Sequence, residues 1–135
     1  ITDLQLIKYI AKKNKPIILS TGLASIKDIE RAVNTCKSVN NNKIILLECT
    51  SLYPAPERLM NLKAISTLEK KFKTIVGFSD HSLGDHMALA SSGFAAKVIE
   101  KHFTLNKKMK GPDHAFAIEP KELKIMIEKI RMVEE

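Results

Sequence analysis

Tryptophan is absent, and phenylalanine and tyrosine together supply 5% of the 135 residues. Any core is therefore aliphatic, and the interleaved aromatic and basic residues of a nucleic-acid stacking platform are missing. Only two cysteines occur, Cys36 and Cys49, and no CxxC pair exists. No structural disulfide is expected, and a reducing cytoplasm is the default compartment. No apolar stretch approaches the roughly 18 residues that cross a bilayer. No secretory pattern opens the chain. It starts Ile1-Thr2-Asp3 without a methionine, which reads as a fragment or a processed chain.

What is present is globular in balance: 44% hydrophobic, 27% charged, net charge +7. Such a composition is neither disordered nor fibrous. The lysines are scattered through helical stretches, many beside Asp or Glu. They read as a solvated surface whose basic excess attracts anionic substrates, and no nucleic-acid partner is expected.

Four short apolar runs stand out: Pro16–Thr21, Lys43–Thr50, Thr74–Ser79 and Lys97–Phe103. Their centres are nearly continuously apolar, as in strands buried on both faces. Helical patterns lie between them. Leu4, Ile7 and Ile10 form a stripe before the first run. Ser25 and Asp28 resemble a capping box opening a second helix. Pro56 is placed to open a third, through Leu59, Leu62, Ile65 and Leu68. Gly84–Ala96 is rich in small residues and suits a closely packed helix. Pro120 opens the last, with Leu123, Ile127, Ile130 and Met132/Val133 along one face.

The order is helix first, then four strand–helix units. Alternation of this kind implies a parallel sheet with right-handed crossovers. Spacing alone suits either a barrel or a doubly wound sheet. All four runs, however, end in polar tips: Ser20-Thr21-Gly22, Cys49-Thr50-Ser51, Ser79-Asp80-His81 and His102. Reactive residues at the carboxyl ends of several strands are the mark of a (β/α)8 barrel, and four units are half of one.

Side chains alternate along a strand, so Ser79 and His81 share a face, as do Glu100 and His102. Two adjacent strand ends can present both imidazoles to one divalent transition metal such as Mn²⁺ or Zn²⁺. Read singly, each histidine is more often a structural hydrogen-bonder than a ligand, and the pair brings the two readings level. Ser20 and Ser79 can donate to a phosphate, though serine at a strand tip also suits plain turn chemistry. Tyr53 lies in a loop stiffened by Pro54 and Pro56, where packing is the simpler reading. Asp113, beside a Gly-Pro turn, can bind sugar hydroxyls, orient a metal ligand or form an Asx turn. Glu100, if it points inward, needs a partner such as Lys97. No role is assigned to Glu48 or His114.

The stretches KPIILSTG (Lys15–Gly22), CTSLYPAP (Cys49–Pro56), GFSDHSLG (Gly77–Gly84), KVIEKHFTL (Lys97–Leu105) and KGPDHAFAIEP (Lys110–Pro120) together resemble the sialic acid synthase family. That family comprises N-acetylneuraminate synthase and its relatives for legionaminic, pseudaminic and spore-coat sugars. The resemblance covers essentially the whole chain. It implies a (β/α)8 barrel, of which residues 1–135 are the C-terminal half, strands five to eight. It also implies that the first half, with a catalytic Glu and phosphate-binding Lys residues, and a C-terminal antifreeze-like domain lie outside the chain.

The implied reaction condenses phosphoenolpyruvate with an N-acetylated amino-sugar aldehyde, giving a nonulosonic acid and phosphate. The resemblance makes His81 and His102 the ligands of a divalent metal, usually Mn²⁺. Ser20 and Ser79 match phosphate contacts, and Ser51, Tyr53 and Asp113 match positions around sugar and phosphate. Ser51 stands where some N-acetylneuraminate synthases carry Asn. The expected full-length enzyme is a cytoplasmic homodimer without membrane attachment, and this fragment alone is expected to be inactive. Two alternatives stand beside it: a non-catalytic half-barrel interaction module, or another metal-dependent barrel aldolase or lyase.

Overall fold

The computed structural model describes residues 1–135. Helix α1 (Leu4–Ala11) precedes β1 (Ile17–Ser20), α2 (Ile26–Lys37), β2 (Ile44–Cys49), a 3-10 turn (Glu57–Leu59) and α3 (Lys63–Phe72). Then come β3 (Ile75–Asp80), α4 (His86–Ser92), β4 (Val98–Lys101) and α5 (Pro120–Glu134). The strands form one parallel sheet in the order β1-β2-β3-β4. This is the expected half-barrel arrangement of parallel α/β units.

Alternation divides each strand between two environments. One side faces the helices, where Ile17, Ile44, Leu46, Val76 and Phe78 pack with Ile29, Val33, Ile65, Leu68 and Phe72 of α2 and α3. This is the main core, aliphatic apart from two phenylalanines. The inner side is covered only in part: Leu47 and Ser79 are buried, while the end nearest the strand starts is open. Its lowest layer contains Ile18 and Ile75, 51% and 54% exposed, with Ile45 between them in register.

The inner layers are set by register. Ser20, Leu47, Gly77 and Val98 form one row, and Cys49, Ser79 and Glu100 the row above it. Gly77 is required in its row. A Cβ there would lie 2.2 Å from the Val98 carbonyl oxygen and 2.6 Å from Leu47 Cδ2.

Several sequence expectations shift. Pro56 caps the 3-10 turn and does not open α3, which starts at Lys63; the intervening residues follow the rim of the sheet before the helix begins. In α1 the buried positions are Ile7 and Ala11, while Ile10 is exposed. In α5 the buried residue is Met126, packed with Ala88 and Ile118, with Leu123 and Ile130 beside it. Ile127, Met132 and Val133 are exposed, because the packed face follows the spacing 123, 126, 130. Helix α4 is shorter than expected: Gly84, at φ +71°, belongs to the preceding turn, and Gly93 follows the last helical residue. The capping box at Ser25 is present, with Ser25 Oγ accepting from the Asp28 N–H and Asp28 Oδ2 from the Ser25 N–H.

Candidate functional site

The polar tips converge at the carboxyl end of the sheet. One residue beyond each of β3 and β4, the register carries His81 and His102 side by side, their ring centroids 5.4 Å apart. With Ser79, Glu100 and Lys101 they line a cleft of about 230 Å³ that has no apolar residue in its wall.

Each histidine is oriented. His81 Nδ1 lies 2.8 Å from the Thr50 carbonyl oxygen. A carbonyl only accepts, so Nδ1 carries the proton and Nε2 keeps its lone pair. His81 Nε2 lies 3.4 Å from Ser79 Oγ, which donates to Glu100 Oε1 at 2.7 Å. His102 Nδ1 lies 3.7 Å from Asp113 Oδ2, beyond hydrogen-bond distance, so the carboxylate flanks that ring without a direct bond to it. Tyr53 is 55% exposed and lies in no core. Its ring packs on His81, centroids 4.2 Å apart, and meets His102 edge-on at 5.6 Å. Packing, the simpler reading of Tyr53, is thus packing against the site itself. Phe116 closes the group 5.0 Å from His102.

Ser20, Ser51 and Tyr53 line an adjoining cavity of about 410 Å³ between the β1 and β2 tips. Six of the seven expected site residues thus line two neighbouring hollows on one rim, and the seventh, Asp113, stands beside His102 outside both. His114 lies apart from both: its Nδ1 is 2.7 Å from Thr104 Oγ1 and ties down the loop after β4. Burial pushes the Cys49 thiol up, so it remains protonated and offers no thiolate nucleophile.

The donor set suits a divalent transition metal. A neutral imidazole with its far nitrogen fixed by a carbonyl is the usual form of a metal-ligating histidine. No group of three His, Cys, Asp or Glu side chains gathers at one point. A metal placed between the two imidazoles would take its other ligands from substrate or water.

Two features escaped the sequence reading. Glu100 is exposed at the rim, and its partner is Ser79, not Lys97. The lysine that matters is Lys101, on the helix-facing side. Its Nζ donates to Asp80 Oδ2 and to the Ser82 carbonyl, each at 2.8 Å, with both charged side chains almost fully buried. Asp80 Oδ1 in turn accepts from Ser82 N and Oγ. This network grips the turn that presents His81. The register pairs Asp80 with Lys101, and nothing local in either segment announces it.

Glu48 is the second. It shares the helix-facing side of β2 with Ile44 and Leu46 and is 6% exposed. Burial pushes its carboxyl up to about 7, the Asn61 N–H opposing and Asp80 adding to the rise.

Known proteins resemble this chain over nearly all of its length. The chain is 51% identical to the N,N'-diacetyllegionaminic acid synthase of Campylobacter jejuni, matching 99% of this chain and 41% of the relative. The crystal structure of the Bacillus subtilis spore coat polysaccharide biosynthesis protein SpsE superposes with a TM-score of 0.94 at 42% identity, over 98% of this chain and 38% of that one. The N-acetylneuraminic acid synthetase of Leptospira borgpetersenii, solved with citrate, superposes at 0.93 with 37% identity, over 97% and 46%. The chain spans about two fifths of the length of the curated relatives it matches. No helix is long and apolar enough to cross a membrane. The NeuB family model matches residues 1–135, and the chain belongs to the NeuB family.

Proposed function

We propose that residues 1–135 are strands five to eight of a (β/α)8 synthase barrel and carry its metal site. The enzyme condenses phosphoenolpyruvate with an N-acetylated amino-sugar aldehyde to a nonulosonic acid and phosphate. The C3 carbon of phosphoenolpyruvate forms the new bond to the aldehyde carbon. Water adds at C2, and phosphate leaves with cleavage of the C–O bond.

The observation that carries this reading is the pair His81 and His102, with His81 Nε2 left free by the Thr50 carbonyl. A divalent cation, Mn²⁺ by family resemblance, would be held by these two imidazoles and would supply Lewis-acid polarisation of the aldehyde. Ser79 and Ser20 offer hydroxyls to the phosphate. Ser51 and Tyr53 line the neighbouring hollow for the sugar, and Asp113 flanks His102 on the same rim. The chain's own task is to position two substrates and to hold charge in place before reaction. Support comes from the relatives named as synthases of legionaminic acid and N-acetylneuraminic acid. The first half of the barrel and any C-terminal domain would supply the remaining groups, so residues 1–135 alone are expected to be inactive.

Calorimetric titration of Mn²⁺, with and without phosphoenolpyruvate, tests this directly. His81→Ala and His102→Ala should each abolish metal binding. Metal retained at parental affinity in either variant would remove the shared site from the mechanism.

A further inference from the structure

Glu48 faces away from the site just described, into a separate cavity between α2 and α3. The cavity measures about 360 Å³. Its polar wall includes Glu48, Thr21, Asn61 and Thr67, and Ile26, Ile29 and Leu68 supply apolar surface. Glu48 is 94% buried by its 6% exposure, yet Oε2 has no hydrogen-bond partner. A buried carboxylate oxygen without a donor is costly, and in a native structure it asks for an occupant.

The hydrogen-bond inventory shows what kind. Thr21 Oγ1 already donates to the Leu47 carbonyl at 2.9 Å. Thr67 Oγ1 already donates to the Lys63 carbonyl at 3.2 Å. Each hydroxyl has one proton, so only lone pairs remain for a ligand. The Glu48 carboxylate and the two hydroxyls offer acceptors, while the Asn61 amide can donate as well as accept. An occupant that satisfies Glu48 Oε2 must donate. An anion is repelled by Glu48, and a hard divalent cation takes about six to eight oxygen ligands and favours several carboxylates, whereas this wall has one carboxylate, two hydroxyls and one amide. A primary ammonium has three donors and no acceptor, and the apolar residues of the wall suit an alkyl stem behind it.

We propose that the cavity between α2 and α3 binds a primary ammonium group on a short alkyl stem, with Glu48 as its counter-ion. Burial is the main cause of the elevated Glu48 carboxyl, and a bound ammonium would lower it toward the carboxylate range. The stem can belong to a free alkylamine or to a lysine side chain. The cavity adjoins the substrate hollow at Thr21, Gly22 and Cys49, but Glu48 itself lies on the other face of β2. The inference is thus independent of the proposed reaction.

Calorimetric titration of the intact protein above neutral pH uses three probes: n-propylammonium, its neutral isostere 1-propanol, and Nα-acetyl-lysine methylamide. Saturable binding of n-propylammonium is expected. It should weaken about tenfold or more in Glu48→Gln, the loss of one charge-assisted contact. Thr67→Val, at an exposed position that leaves the fold intact, should weaken it about threefold, the loss of one neutral acceptor. Lysine amide binding as tightly as propylammonium assigns the site to a lysine side chain; propylammonium binding alone assigns it to a free amine. Equal binding in Glu48→Gln, equal binding of 1-propanol, or no saturable binding of either ammonium would overturn the proposal and leave water as the occupant.

Discussion

Glu48 and the Asp80–Lys101 pair are the residues whose environments depart furthest from what their chemistry prefers, and they depart in opposite ways. Glu48 has an orphan oxygen and a carboxyl raised from 4.5 to about 7. Because its folded-state pKa lies above the unfolded value, its contribution to stability is full below pH 4.5 and is lost as pH rises through 7. The loss is on the order of 3 kcal/mol. Glu48→Gln should flatten that slope and make the protein more stable than the parent above neutral pH, as read by denaturant unfolding across pH. An unchanged slope would show that Glu48 is not the titrating group. Asp80, by contrast, has every oxygen occupied. Lys101→Met would strand its carboxylate inside the protein and should cost about 3–5 kcal/mol. Urea unfolding measures this, and a loss near zero would mean that water reaches Asp80.

Among the elements, β3 serves both the site and the buried ion pair. Its inner face delivers Ser79 and His81, and its outer face delivers Phe78 to the core and Asp80 to the buried pair. That double duty requires close approach to both neighbours, which Gly77 permits. Gly77→Ala places a methyl against the Val98 carbonyl, backbone that cannot rotate away, and should destabilise by about 1–3 kcal/mol. It should also displace β4 and with it His102, so Mn²⁺ affinity falls together with stability. Gly77→Ala binding Mn²⁺ as the parent does would show that β4 absorbs the methyl without moving the site. The strand positions were legible from the sequence, because continuous apolar runs are hard to mistake. Helix starts were less so: Pro56 carries a strong start signal, but the loop it serves ends in a 3-10 turn before Lys63.

For the whole molecule, the asymmetry between the sheet's two faces is decisive. The helix-facing side packs into the main core, with one hollow beside Glu48, while the inner side leaves Ile18 and Ile75 half exposed, and both edge strands are unpaired. Exposed apolar surface beside open strand edges favours association. Residues 1–135 prepared alone should therefore associate in a concentration-dependent way by sedimentation velocity. A single monomeric species at all concentrations would show that the inner face is solvated without penalty.

Apolar runs ending in polar tips, with helical spacing between them, determine on their own a parallel α/β arrangement and place Ser20, Ser51, Ser79, His81 and His102 at strand ends. Alternation along one strand also determines that Ser79 and His81 share a face. The tertiary structure alone decided which tips meet. Register between strands sets the pairing of Asp80 with Lys101, the contact of Ser79 with Glu100 and the stacking of Tyr53 on His81. It also decided that Glu48, one residue before the Cys49 of the inner row, is buried on the helix side with its Oε2 unpartnered. The physical reason is range: the period of a strand is local and written in the chain, whereas a neighbour across the sheet is fixed only when distant segments pack.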